Sequence, residues 1–227
     1  YDYASFLYDQ CQYQKSLEIV QRLEHWYALG PDTSAIQRAA LSNLMGLDYS
    51  AQNDFAAAEE QYQEALKIYR DLSEKNPNAY LPVLATSCNN LAYLLHDTGS
   101  FREAEELHRE ALKIFRELAG KDPDAYLSDL SDSCNNLAGL LCDTGSFREA
   151  EELHREALKI RRNLAEKNPD AYLSDLSDSC NNLALLLHDT DSFREAEELY
   201  REALKIRRNL AEKNPDAYLT DLATSCN

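Results

Sequence analysis

The segment SCNNLA begins at Ser87, Ser133 and Ser179, and SCN begins again at Ser225, a spacing of 46 residues each time. Proline keeps the same count, at Pro31, Pro77, Pro123, Pro169 and Pro215. Tyr126 to Ala171 differs from Tyr172 to Ala217 at only four of 46 positions. A period of this length marks an array of one supersecondary unit, in which each copy buries its apolar face against the next.

Inside the unit, LSDLSDSCNNLAGLLCDTG places Leu127, Leu130, Cys134, Leu137, Ala138 and Leu141 on one stripe at helical spacing. SFREAEELHREALKIRRNLAEKN places Phe147, Ala150, Leu153, His154, Ala157, Leu158, Ile160 and Leu164 on a second stripe, with Glu and Arg opposite. The unit is therefore two amphipathic helices of about 20 residues, roughly 30 Å long. Gly145 can end the first in a left-handed conformation, and Ser146 is a candidate cap for the second. Pro169 stops one helix and Asp170 can start the next.

The apolar share is 44% and the charged share 28%, too apolar for a disordered chain. No apolar run approaches the roughly 18 residues of a membrane helix. The net charge of −17 and the lack of a basic stripe exclude nucleic acid as a partner, and an anionic membrane surface would repel the chain. With no initiating Met and the pattern still running at Asn227, the sequence is expected to be a fragment of a longer protein.

The repeat resembles the tetratricopeptide family. The residues that carry the likeness are small residues in mid-first-helix (Gly46, Ala92, Ala138, Ala184), an aromatic opening the second helix (Phe55, Phe101, Phe147, Phe193), and two alanines seven apart within it. Those alanines are Ala58, Ala104, Ala150 and Ala196, then Ala65, Ala111, Ala157 and Ala203. The resemblance implies an all-α fold, an α-solenoid of stacked antiparallel hairpins wound into a right-handed superhelix. One array spans 1–227: a degenerate first hairpin at 1–30, further hairpins at 31–76, 77–122, 123–168 and 169–214, and the start of a sixth at 215–227. In the first, Ser16 and Leu23 stand where alanines are expected, and its second helix is about one turn short. The 46-residue unit and the CNNLA segment are similar to kinesin light chain. Bacterial arrays linked to caspase-like (CHAT) protease or nucleotide-binding ATPase domains look close as well.

In such a stack the first helices line a concave groove and the second helices face outward. The residues turned from the apolar stripe are Asn43, Leu47, Ser50 and Ala51; Asn89, Tyr93, His96 and Asp97; Asn135, Gly139, Cys142 and Asp143; Asn181, Leu185, His188 and Asp189. The resemblance implies that these positions contact an extended peptide, and an asparagine amide offers it both donor and acceptor. The ladder Asn43, Asn89, Asn135, Asn181 is the leading candidate site. Two of the four differences between the last complete hairpins fall on groove positions, Gly139 against Leu185 and Cys142 against His188. The neighbouring Asn90, Asn136 and Asn182 are expected to tie helices together. Asp132, Asp178, Asp129, Asp175 and Asp221, with Asp97, Asp143 and Asp189, make an acidic groove, which calls for a ligand carrying basic beside apolar residues.

Cys88, Cys134, Cys180 and Cys226 repeat on the buried stripe. Equivalent positions should lie on the order of 10 Å apart, beyond the roughly 7 Å limit of a disulfide. They are expected to be reduced core residues in a cytoplasmic protein, with Cys142 exposed in the groove. His108 and His154 stand where other hairpins have Tyr62 and Tyr200, so they are expected to pack as aromatics. No metal site, cofactor or catalytic motif is expected. The sequence reads as a non-catalytic scaffold for a protein or peptide. Its rivals are the regulatory arm of a larger bacterial protein and a structural spacer that self-associates end to end.

Overall fold

The structure, a computed structural model, describes residues 2–28 and 35–214. Residues 215–227, with the expected start of a sixth hairpin, Cys226 and Asp221, lie outside the described residues. The fold is all-α, and among the described residues it consists of helices joined by tight turns. They are α1 (Asp2–Asp9), α2 (Tyr13–Ala28), α3 (Ala35–Ala51), α4 (Phe55–Lys75), α5 (Pro77–Asp97), α6 (Phe101–Lys121), α7 (Pro123–Asp143), α8 (Phe147–Lys167), α9 (Pro169–Asp189) and α10 (Phe193–Lys213). The helices from α4 to α10 are each 21 residues, whereas α2 is 16.

The 46-residue period is visible in how each helix starts and stops. Pro77, Pro123 and Pro169 occupy the first turn of α5, α7 and α9, where a missing N–H costs nothing. The first helix then closes in one recurring way. The Ser146 N–H bonds Leu141 O at 2.7 Å, the Thr144 hydroxyl bonds Leu140 O at 3.0 Å, and Gly145 takes φ 81°. Asp191 holds the same position with φ 62°, so the turn survives a side chain there. Ser146 closes α7 with its backbone and makes no side-chain cap to α8, unlike the capping expected of it.

Two compact units divide the chain, residues 1–114 and 115–227. In the first, α1 packs on α2, α2 on α3, α3 on α4 and α4 on α5. In the second, α7 and α9 lie against each other as one layer, with α8 and α10 forming the other. The alanines Ala58, Ala65, Ala104, Ala111, Ala150, Ala157 and Ala203 are all fully buried, which lets neighbouring helix backbones approach closely. Leu183, Ala184, Leu187, Ala196, Leu199 and Cys180 form the core of the last hairpin. Cys88, Cys134 and Cys180 are fully buried free thiols, and burial pushes each up to about 12.

On the surface of the second helices, Arg70 pairs with Glu110 at 2.6 Å, Arg116 with Glu156 at 2.6 Å and Arg162 with Glu202 at 2.7 Å. Each pair joins a hairpin to the next. These arginines are about half exposed, so each bond contributes roughly 0.2–1 kcal/mol and chiefly fixes register.

Candidate functional site

The SCNN segment builds the joints between hairpins. Asn43 Nδ2 donates to Ser87 Oγ at 2.8 Å, and Asn135 Nδ2 donates to Ser179 Oγ at 3.2 Å. The same Asn135 presents Oδ1 to His154 Nδ1 at 3.0 Å, and Asn89 presents Oδ1 to His108 Nδ1 at 2.9 Å. Because a carbonyl oxygen only accepts, each ring carries its proton on Nδ1. Burial lowers both histidines to about 4, so they are neutral at pH 7. His108 and His154 thus pack as buried rings, and each also donates a specific hydrogen bond.

This arrangement reverses the roles expected of the paired asparagines. The tie falls to the first member, Asn43, Asn89 and Asn135, whereas Asn136 and Asn182 are exposed on the first-helix face. A ladder of Asn amides open to a ligand is therefore not what the first members present: they are half-buried and engaged in the stack. Asn181 is held differently. Its carbonyl, in the amide orientation that satisfies its neighbours, accepts from Arg207 Nη1 at 2.8 Å and Nη2 at 2.6 Å.

Arg207 and its equivalent Arg161 were not singled out as site residues by sequence reasoning. Both lie on second helices, where Tyr69 and Phe115 occupy the corresponding positions. Arg161 is 3% exposed and crosses to the first-helix layer. There Nη1 donates to Asp175 at 2.7 Å and to Ser128 at 3.0 Å, while Nη2 donates to Asp132. Arg207 Nη2 donates to Asp178 at 2.8 Å. Burial raises the carboxyl of Asp132, and the Arg161 charge partly opposes this; Asp129 behaves alike. Lys167 pairs with Asp124 at 3.1 Å and Lys213 with Asp170 at 3.2 Å. Much of the negative charge expected of the face is consequently compensated from beneath.

Among these polar residues the first helices also expose large apolar side chains. Tyr93 on α5 is 60% exposed and Leu185 on α9 is 58% exposed. Gly139 holds the equivalent position on α7, and nothing lies within 4 Å of where a Cβ would stand. The His96 ring packs tilted against Phe101 with centroids 5.7 Å apart, and His188 meets Phe193 edge to face at 5.3 Å. Asp97, Asp143 and Asp189 are exposed at the helix ends, and Cys142 is half-buried between hairpins. In α3 the matching Leu47, Ser50 and Ala51 are half-buried. An open depression beside the α9–α10 turn is lined by Asp191, Ser192, Phe193, Arg194, Glu195 and Glu198. Among the described residues no cluster of His, Cys, Asp and Glu could hold a metal ion, and no helix is long and apolar enough to cross a membrane.

Two profiles of the tetratricopeptide repeat family match the chain, one over residues 84–124 and the other over 1–71 and 129–209. Among curated proteins no significant sequence match is found. Among solved structures, BtubC (BKLC) from P. vanneervenii is 25% identical, with a TM-score of 0.76 over 91% of this chain and 78% of that one. Kinesin light chain nearly identical TPR-like repeats from Podosopora anserina are 21% identical, with a TM-score of 0.70 over 94% of each chain. The Rap conjugation gene regulator of plasmid pLS20, solved in complex with the Phr* peptide, is 17% identical with a TM-score of 0.65. This chain spans 91% of its own length but about half, 52%, of that regulator.

Proposed function

The chain belongs to the tetratricopeptide repeat family, and on that premise we propose that it is a non-catalytic scaffold whose first-helix face binds an extended peptide or protein segment. One observation carries this reading. Tyr93 and Leu185 are the most exposed large apolar side chains of α5 and α9, at 60% and 58%, and they stand at the position where near-identical hairpins diverge. A partner's apolar side chain seated on either of them would remove that surface from water, worth roughly 25 cal/mol per Å² buried. The Phr* complex of a regulator with this fold supports the same use of the architecture. The buried, reduced thiols suit a cytoplasmic location.

A preformed helical face leaves most of the ordering entropy to the ligand, so affinity rests on a few anchoring side chains. The test is capture of partners from a lysate by the parent chain and by a Gly139→Arg, Leu185→Arg variant. Both sites are open, so the variant should keep its Tm, unlike changes at the tied Asn135 or Asn181. Partners bound by the parent and lost by the variant support the reading; an identical set from both overturns it. Sedimentation of both proteins separates this from end-to-end stacking, which a face substitution leaves intact.

A further inference from the structure

Independently of the peptide-binding reading, we propose that the α1–α2 hairpin is a releasable cap on α3, closed in mild acid by the buried Ser16–Asp48 contact and opening more often towards neutral pH. Asp48 is completely buried; its Oδ2 accepts from the Ser16 hydroxyl of α2 at 2.8 Å, while Oδ1 has no hydrogen-bond partner among the described residues. A carboxylate out of water, with one neutral donor and an orphan oxygen, is strongly unfavourable. It relieves that state by taking a proton or by regaining water. Water reaches it when α2, which carries its donor, lifts away.

The groups that face Asp48 are neutral. From α2 it meets the Ser16 hydroxyl. From α4 the titratable group is Tyr62, a buried phenol whose ionisation burial chiefly opposes, and which Tyr8 of α1 and Asp48 oppose further. On its own helix, Gln52 Nε2 donates to the Asp48 backbone carbonyl at 3.0 Å and leaves the carboxyl alone. The influences on that carboxyl are burial, which raises it to about 6, and the Ser16 bond, which pulls it partly back; no lysine, arginine or histidine is among them.

The same joint is built to part. Leu17 and Val20 of α2 cover Leu41, Leu44 and Met45 of α3. On the surface the two helices share a neutral bond, from Gln21 Nε2 to Tyr49 Oη at 2.8 Å. The later second helices are instead fastened each to the next by Arg70–Glu110, Arg116–Glu156 and Arg162–Glu202. At 16 residues, α2 is also shorter than the 21-residue α4 that backs α3 from the other side. Lifting α2 therefore leaves α3 packed on α4 and uncovers Leu41, Leu44 and Met45, an apolar strip hidden in acid and shown to solvent nearer neutrality.

Hydrogen–deuterium exchange of the whole chain at pH 5 and pH 7, corrected for intrinsic rates, tests this. A carboxyl at about 6 under the closed cap and 3.8 when open makes opening about tenfold more frequent at pH 7 than at pH 5. The α2 amides should show that rise and exchange faster than those of α4 at both values. The α6 amides should not share it, because buried His108, held down at about 4, gives unfolding of the whole unit the opposite dependence. In Asp48→Asn the α2 exchange should change by less than about twofold between the two values. Asp48→Leu, which copies Leu94 and Leu140, supplies the same readout if the amide variant does not fold. No rise in α2 of the parent, a rise that persists without the carboxyl, or a rise shared equally by α2 and α6 overturns the inference.

Discussion

Ser16 on α2 donates its hydroxyl to Asp48 on α3 at 2.8 Å, and Asp48 is completely buried. Both residues break the repeat: Ser16 stands where later hairpins have Ala58 and Ala104, and Asp48 where they have Leu94 and Leu140. The two departures compensate one another across 32 residues of chain. The compensation is partial, since Asp48 Oδ1 has no hydrogen-bond partner among the described residues and burial raises the carboxyl to about 6.

A carboxyl raised from 3.8 to about 6 favours the folded state in acid, and that contribution is lost as pH climbs through about 6. By pH 7 the first unit should have forfeited on the order of 3 kcal/mol. Asp48→Leu should therefore raise stability at pH 7 far more than at pH 4. Urea melts of the variant and parent at both values check it, and a pH-independent difference would refute the assignment.

His154 contributes the opposite slope. Its folded value lies near 4, below the usual 6.5, so stability is present above that usual value and lost as pH falls through the folded one. His154→Phe should keep the aromatic packing yet cost about 1–3 kcal/mol at pH 7, because Asn135 Oδ1 loses its donor. The same variant should be less sensitive to acid than the parent. Thermal melts at pH 7 and pH 5 check both points: no cost at pH 7 would contradict the bond, and a cost that does not change with pH would contradict burial of the neutral ring.

Gly46 and Tyr62 form a matched pair. A Cβ at Gly46 would stand 2.5 Å from the buried Tyr62 ring, whereas Ala92 and Ala138 accompany the smaller His108 and His154, and Ala184 accompanies a Tyr200 left 38% exposed. Tyr62 also leaves Asn43 Oδ1 without the donor that histidine supplies elsewhere. Gly46→Ala alone should destabilise by about 1–3 kcal/mol, despite alanine's higher helix propensity. Adding Tyr62→His should restore most of that loss. A double variant no better than the single one would show that the two positions are not coupled.

Arg161 illustrates what a sequence conceals. On a second helix rich in Glu and Arg it reads as one more solvated charge, yet the fold turns it inward to Asp132 and Asp175. Arg161→Ala should cost about 2–4 kcal/mol, because two partly buried carboxylates lose their counter-ion. Arg161→Phe, which copies Phe115, should cost less than half as much. Equal losses for both would argue against compensation by shape.

The period, the helices, the buried alanines and the core cysteines were all legible in the sequence, because each is a matter of spacing along one chain segment. Which of Asn135 and Asn136 ties the stack was not. The two are adjacent on the helix and carry the same kind of side chain, and only the position of Ser179 on the next hairpin, 44 residues on, separates them. The acidity of the face was overstated for the same reason, since Arg161 and Arg207 reach it from another layer. The positions of Tyr93 and Leu185 were legible as sites of divergence between copies, although their exposure was not.

The most direct test of recognition through the first-helix face is calorimetric titration of a captured partner segment into the parent and into the Leu185→Arg variant, matched for Tm. The face reading requires at least about a tenfold loss of affinity, roughly 1.4 kcal/mol, on replacing that single exposed side chain. Equal affinities in the two titrations would place binding elsewhere on the molecule and contradict it.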